Sequence, residues 1–297
     1  MKKVKIGTRG SQLALWQANY TKQQLASLGV ASELIIIKTK GDRVQHLSFD
    51  KMEGKGFFTK EIEDALLRGE IDLAVHSMKD LPTASPKGLI ITAVSYRENP
   101  ADWLLIRPEA VAEDQLLKLK KDAVVGTSSA RRKAQLLDFR KDIQLKDIRG
   151  NVTTRLKKLQ ARDFDAIAMA AAGISRLELD LSSFYVLKMN PKEFVPAPAQ
   201  GVLAFQTAVD DLATRRILKN IHRPEVSAAT NVERKVLKLL EGGCQMPLGV
   251  YCERDAIGNY HLWAAKADSW DSPVKRIQLS ANTNHHLAEK AVETLAG

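Results

Sequence analysis

Cysteine is nearly absent from this 297-residue chain, which has only Cys244 and Cys252. Their separation matches neither a CxxC redox pair nor the paired ligands of a zinc site, so a disulfide scaffold, a dithiol centre and a cysteine-held metal are all excluded. No metal is expected, and a reducing cytoplasm is the expected compartment. Aromatic residues make up only 6% of the chain and are not interleaved with its basic residues, which argues against a stacking platform for nucleic acid. Long hydrophobic runs are missing too. The longest, Ala166 to Ile174, falls well short of the ~20 residues that a membrane helix needs. Met1-Lys2-Lys3-Val4-Lys5 enters a strand-like segment without the apolar stretch of a signal peptide. The expectation is a soluble, unexported protein that binds neither membrane nor nucleic acid.

What the chain does have is positive charge, +10 formally, on an ordinary globular background of 44% hydrophobic and 27% charged residues. Its length suggests two or three domains. Net charge alone says only that anions are suitable partners. Its distribution says more. Lys and Arg recur in short motifs such as Thr8-Arg9, Ser129-Ala130-Arg131-Arg132 and Arg149-Gly150-Asn151. There is no long basic tail, a pattern that suits a lined cleft for a small polyanion.

Hydrophobic periodicity predicts α/β organisation. A strand over Val4–Gly7 leads to a helix from about Gln12 to Leu28 and a strand over Glu33–Lys38. Beyond a glycine-rich loop come a helix from Thr59 to Arg68 and a strand over Asp72–His76. A second set begins near Asp102: strand Val124–Gly126, helix Ser129–Leu137, strand Ile143–Ile148, helix Val152–Gln160 and strand Asp165–Met169. The sets resemble each other. Ile6-Gly7-Thr8-Arg9-Gly10-Ser11 and Val125-Gly126-Thr127-Ser128-Ser129 each end a strand and open a helix, which predicts two similar lobes. Val195-Pro196-Ala197-Pro198-Ala199-Gln200-Gly201 is a proline-rich crossing ahead of a strand at Val202–Gln206. A helix from Pro224 to Leu240, strands at Val250–Cys252 and Tyr260–Ala267 and a last helix near Leu287–Leu295 form a small third domain.

Strand-to-helix junctions present free backbone N–H groups to an anion, so Thr8 to Ser11 and Thr127 to Ser129 are candidate carboxylate seats. Taken singly, each junction is better explained by ordinary N-capping by Ser11 or Ser129. Arg131 and Arg132 tip the balance. Both lie in a predicted first helical turn, where each cation is disfavoured by ~0.3–1 kcal/mol unless an anion sits there. Arg9, Arg149, Arg155 and Arg176 also fall at strand ends or early in the following helices, where ligands of open α/β sheets collect. A solvated surface charge explains any one of them but not the whole set. Asp80, in His76-Ser77-Met78-Lys79-Asp80-Leu81-Pro82, is the candidate catalytic acid, with a turn residue before proline as the alternative. His76 reads as a buried, hydrogen-bonded histidine at a strand end. Cys244 follows Gly242-Gly243 on a loop that would expose a nucleophilic sulfur, against the alternative of a small core residue, which is the reading for Cys252.

These segments resemble the porphobilinogen deaminase family along almost the whole chain. The resemblance is carried by Thr8-Arg9-Gly10-Ser11-Gln12-Leu13-Ala14-Leu15-Trp16-Gln17, Ala74-Val75-His76-Ser77-Met78-Lys79-Asp80-Leu81-Pro82 and Val125-Gly126-Thr127-Ser128-Ser129-Ala130-Arg131-Arg132. Arg149-Gly150-Asn151-Val152, Pro198-Ala199-Gln200-Gly201 and Glu241-Gly242-Gly243-Cys244-Gln245 extend it in the same order. The family pattern has proline where Gln12 stands and usually leucine where Ala130 stands, and neither departure removes a chemical group.

The resemblance implies an α/β protein of three domains: two similar lobes of the periplasmic-binding-protein kind with a cleft, and a small C-terminal α+β domain. Their expected bounds are 1–97 with 198–217, 98–197 and 218–297. It implies a monomeric transferase of tetrapyrrole (haem) biosynthesis that joins four porphobilinogen molecules head to tail, with loss of ammonia, into linear hydroxymethylbilane. The primer is a dipyrromethane cofactor held by a thioether to Cys244. By the same resemblance Asp80 is catalytic, and Lys79, Thr127, Ser129, Arg131, Arg132 and Arg155 hold the cofactor. Arg9, Ser11, Arg149, Arg155 and Arg176 hold substrate carboxylates, and Lys51, Lys55 and Phe58 belong to a mobile loop.

The chemistry fits the charge pattern, because each pyrrole brings two carboxylates and the growing chain accumulates negative charge. Two other classes compete. A non-catalytic two-lobed anion-binding protein would share the arginines but gives no reason for a loop cysteine, and a nucleic-acid-binding protein accounts for the charge alone.

Overall fold

The structure is a computed structural model that describes residues 3–39, 59–243 and 245–297. The described chain divides into two compact units: one runs to Glu98 and adds Gly201–Ala228, the other comprises Asn99–Gln200 and Ala229–Gly297.

In the first unit, strand β1 (Val4–Thr8) leads through helix α1 (Gln12–Ser27) to β2 (Ser32–Ile36). Helix α2 (Lys60–Leu67) precedes β3 (Leu73–Ser77), and β4 (Leu89–Val94) closes the first pass of the chain. One strand, β10 (Leu203–Ala208), arrives from much later in the sequence, followed by helix α6 (Leu212–Leu218). The sheet order is β2-β1-β3-β10-β4. β1 is parallel to both β2 and β3, and β10 is antiparallel to both β3 and β4. Ile6, Leu73, Val75 and Phe205 pack with Ala18 and Leu25 of α1 on one face. Ala74 and Leu89 pack with Ile62, Ala65 and Leu66 of α2 on the other. A sheet covered on both faces explains why β3 reads as a continuous apolar run.

The second unit repeats this plan. β5 (Asp102–Ile106), β6 (Val124–Gly126), α3 (Ala130–Phe139), β7 (Gln144–Lys146), α4 (Val152–Gln160), β8 (Ala166–Ala170), α5 (Ala171–Arg176) and β9 (Tyr185–Lys188) give the order β7-β6-β8-β5-β9. β6 is parallel to β7 and β8, while β5 is antiparallel to β8 and β9. The fourth strand again comes from outside the run of three parallel strands. The apolar stretch from Ala166 to Ile174 is therefore a central strand that turns directly into a helix. Glycines occupy equivalent places for one reason. A Cβ on Gly7 would lie 2.3 Å from Ile71 Cδ1, and one on Gly126 would lie 2.9 Å from the Phe164 ring. Both Ile71 and Phe164 stand at the entry to the next parallel strand, packed against the glycine.

The second unit also carries α7 (Pro224–Leu239) from Ala229 onward, and the antiparallel sheet β11 (Leu248–Arg254), β12 (Tyr260–Lys266) and β13 (Lys275–Ala281), with α8 (Leu287–Ala296) packed on β13. Val195 of the proline-rich crossing packs against Trp263 and Ala265 of this sheet. The fold is thus α/β, with two similar five-stranded lobes and a smaller C-terminal sheet. Strands β4, β5, β9 and β13 and the short helices α5 and α6 were not legible in the sequence pattern. No described helix is long and apolar enough to cross a membrane.

Candidate active site

The order β2-β1-β3 means that the chain winds to one side of β1 and then to the other, with α1 and α2 on opposite faces. The crevice at that reversal, beyond the carboxyl ends of β1 and β3, is where ligands of open α/β sheets bind. Arg9 and Ser11 follow β1, while Lys79 and Asp80 lie in the 3-10 turn Met78–Asp80 that follows β3. The first unit therefore brings these four residues to one edge of one sheet.

Ser11 caps α1, its Oγ accepting from Ala14 N at 3.3 Å. Buried Gln17 of α1 donates from Nε2 to Ser77 Oγ at 2.9 Å, tying the helix to the end of β3. Met78 N donates to Val202 O at 2.9 Å and fixes the base of the turn. Asp80 ends the turn and is exposed.

Behind the turn, His76 is buried. Gln206 donates from Nε2 to Glu63 Oε1 at 3.0 Å, which leaves its Oε1 to accept from His76 Nε2 at 3.1 Å. Thr59 Oγ1 donates to Glu63 Oε2 at 3.3 Å. Burial pushes His76 down to about 4, with the Gln206 hydrogen bond opposing the shift and Arg9 adding to it. His76 is thus the buried, hydrogen-bonded histidine that the sequence leads one to expect, and its burial keeps it neutral.

The second unit repeats the geometry at the ends of β6, β7 and β8. Thr127 is buried, and its Oγ1 accepts from Ser129 N at 3.3 Å. Ser129 caps α3, its Oγ accepting from Arg132 N at 3.5 Å. Arg149 lies beyond β7 and is half-buried. Asn151 caps α4 through Oδ1, which accepts from Thr154 N at 2.8 Å, and Arg155 Nε donates to Gly150 O at 2.9 Å. Arg176 is buried at the end of α5, which follows β8 directly. Lys51, Lys55, Phe58 and Cys244 lie outside the described residues. Cys252 is buried in β11, where its N–H donates to Glu233 Oε1 at 2.7 Å.

Arg131 and Arg132 do stand in the first turn of α3, and an anion does sit with them, but that anion belongs to the chain. Arg131 Nη1 donates to Asp102 Oδ2 at 2.7 Å, and Arg132 Nη2 to Asp102 Oδ1 at 2.7 Å. Gln200 Nε2 donates to the same Oδ1 at 2.9 Å. Burial alone would raise the Asp102 carboxyl. The two guanidinium groups outweigh it and hold the acid well below the usual carboxylate range. Burial also pulls Arg131 below its ordinary value, with Asp102 opposing and Arg132 adding to the shift.

Asp102 is therefore a second acid among the basic motifs, beside Asp80. Asp102 and Gln200 escaped the sequence reading, although a single acid opening the apolar stretch Asp102-Trp103-Leu104-Leu105-Ile106 was a usable signal. Glu233 escaped as well. Fully buried on α7, it receives Cys252 N on Oε1 and Ala199 N on Oε2, the latter at 2.6 Å.

Among the described residues, two cations against one carboxylate leave the Arg131–Asp102–Arg132 cluster with one positive charge in excess, and Arg132 Nε is buried without a hydrogen-bond acceptor. Such a cluster fits an anionic group with carboxylate side chains.

Comparison with known proteins finds relatives over most of the chain. The family model described as porphobilinogen deaminase, dipyromethane cofactor binding domain, matches residues 4–216, and the porphobilinogen deaminase C-terminal domain matches residues 228–268. A porphobilinogen deaminase of Sulfurimonas denitrificans is 46% identical over 252 residues, covering 84% of this chain and 79% of that one. One from Nitratiruptor sp. is 46% identical over 248 residues, covering 84% and 78%. Among solved structures, a periplasmic substrate-binding protein of an ABC transporter from Coxiella burnetii aligns with a TM-score of 0.44 at 14% identity, over 75% of this chain and 93% of that one. The chain belongs to the porphobilinogen deaminase family.

Proposed function

We infer that this protein polymerises four porphobilinogen molecules head to tail, with loss of ammonia, into hydroxymethylbilane on a covalently held dipyrromethane. The observation that carries the reading is the collection of acid, hydroxyl and guanidinium groups at the carboxyl ends of the parallel strands in two lobes of one family-matched chain. Within it, Cys244 is assigned as the thioether anchor. Lys79, Thr127, Ser129, Arg131, Arg132 and Arg155 are assigned to the cofactor, and Arg9, Ser11, Arg149, Arg155 and Arg176 to the acetate and propionate groups of the substrate.

When bound, the dipyrromethane supplies the nucleophilic pyrrole carbon on which the product is built. The chain's own residues do the rest. Arginines hold the carboxylates and fix the register of the rings by bidentate hydrogen bonds. They also make the site hostile to the electron-poor azafulvene that forms when porphobilinogen loses ammonia. Asp80 answers that problem: its carboxylate accepts the ring N–H and stabilises the positive charge. In its protonated form the same group assists departure of the amine. Exposure of Asp80 at the end of a fixed turn supports this role, since the acid reaches a ligand without rearrangement of β3. We place the protein in the cytoplasm and assign it as a monomer.

Freshly purified protein tests the reading directly. An intact-mass measurement and an aldehyde colour reaction for pyrroles should both report a covalent dipyrrole, and incubation with porphobilinogen should release ammonia. Active protein without a pyrrole adduct would sink the assignment. A non-catalytic anion-binding protein would give neither signal.

A further inference from the structure

We propose that Asp102 is a positioning residue that presents Arg131 and Arg132 to a single external carboxylate, by fixing both guanidinium groups and neutralising one of their two charges. The proposal rests on the assignment of these arginines to the cofactor.

A structural ion pair has a simpler form than the one observed. One carboxylate is fully served by one guanidinium through two parallel hydrogen bonds. Asp102 is instead divided, with Oδ2 taken by Arg131 and Oδ1 by Arg132. Among the described residues, the other hydrogen bonds of the two guanidinium groups go to neutral backbone: Arg131 Nη1 donates to Val195 O at 2.9 Å, and Arg132 Nη1 to Ala168 O at 3.0 Å. These carbonyls fix the guanidinium orientations and balance no charge.

Asp102 is itself held. Gln200 Nε2 bonds both Oδ1 and Pro100 O, the latter at 2.7 Å, and the acid is 1% exposed. The arginines are 5% and 6% exposed, so neither has solvent to screen it. They stand in the first turn of α3, where the helix dipole adds further positive potential. Arg132 Nε still lacks an acceptor among the described residues. The cluster is held by hydrogen bonds, more than nine-tenths buried and, among the described residues, one negative charge short. Asp102 thereby sets how many anions the pair takes and in which direction the spare donors point.

The test is a cycle between Asp102 and the bound pyrrole. Wild type and Asp102→Asn are prepared with the covalent adduct and, on a Cys244→Ala background, without it, and the four are compared by melting temperature. With Asp102 neutral, an external carboxylate becomes the pair's only counter-charge. Asp102→Asn should therefore lower the melting temperature of the unloaded protein by at least about 3 °C more than that of the loaded protein. Equal falls in the two would overturn the proposal and leave Asp102 a purely structural ion-pair partner.

Should the unloaded Asp102→Asn protein not fold, Asp102→Glu decides, since it keeps the charge and displaces the carboxylate by one methylene. It should melt within about 2 °C of wild type yet turn over at least about tenfold more slowly. Wild-type turnover in that variant overturns the positioning role. Absence of any pyrrole adduct on the wild-type protein would overturn the reading of the site, and the role of Asp102 with it.

Discussion

Asp72 and Asp165 do the same thing in the two lobes: Asp72 Oδ2 accepts from Lys5 N at 2.9 Å, and Asp165 Oδ2 accepts from Val124 N at 2.9 Å. Each aspartate also donates its own N–H to the same neighbour, Asp72 to Lys5 O at 3.0 Å and Asp165 to Val124 O at 2.8 Å. Each thereby sets the register of a parallel pair, Ile6 opposite Leu73 and Val125 opposite Ala166. Register matters because a slip of one residue would turn every side chain to the opposite face. The carboxyl ends that lead to Arg9 and Asp80, or to Thr127 and helix α5, are brought level by this device.

The glycine that accompanies each aspartate gives a first prediction. A methyl group on Gly126 would meet the Phe164 ring at 2.9 Å and Ile167 Cγ2 at 3.1 Å, both on residues of a packed core. Gly126→Ala should lower stability by about 1–3 kcal/mol, the usual cost of overpacking. Chemical denaturation of the variant checks this.

Asp80→Asn should leave the fold intact, since Asp80 is exposed, and should lower turnover by about two orders of magnitude or more, because the amide cannot offset a cationic ring. Ammonia release under saturating porphobilinogen, with circular dichroism as the folding control, measures both. Near-normal turnover would remove Asp80 from the mechanism.

Cys244→Ala should yield folded protein without a covalent pyrrole, whereas Cys252→Ala should keep the adduct and lose stability, because Cys252 is a buried core residue. Intact mass separates the two variants. An adduct surviving on Cys244→Ala would point to another anchor.

His76 predicts a pH dependence. Its folded value is lowered from 6.5 to about 4, so below pH 6.5 the unfolded chain takes up a proton that the folded chain refuses. Stability contributed by neutral His76 is full above pH 6.5 and is lost as pH falls toward 4, by roughly 3 kcal/mol across that window. His76→Gln, which preserves a donor toward Gln206, should flatten the decline. Melting curves between those pH values decide it, and an unchanged slope in the variant would show that other groups control acid stability.

Much of the lobe plan was legible because strand and helix periodicities are local. Ile6-Gly7-Thr8 and Val125-Gly126-Thr127 ended strands as read, and Ser11 and Ser129 both became N-caps. The place of β5 and β10 in their sheets was not legible, since an antiparallel strand inserted from a distant segment leaves no periodic mark. Strand β13 escaped because its charged start, Lys275-Arg276, masks a short alternation. The arginine pair was half legible: the first-turn position of Arg131 and Arg132 called for an anion, but nothing local identified Asp102, 29 residues from Arg131, as an anion that sits there.

By itself, then, the sequence determined the alternating α/β elements, the duplication, the family and the chemical groups available for binding carboxylates and pyrroles. These follow from short-range patterns and residue types. The tertiary structure alone decided which groups share a sheet edge and which charges are already balanced within the chain. His76 was made neutral and Asp102 kept ionised by burial and by neighbours from distant segments, because the cost of a charge depends on what surrounds it in space.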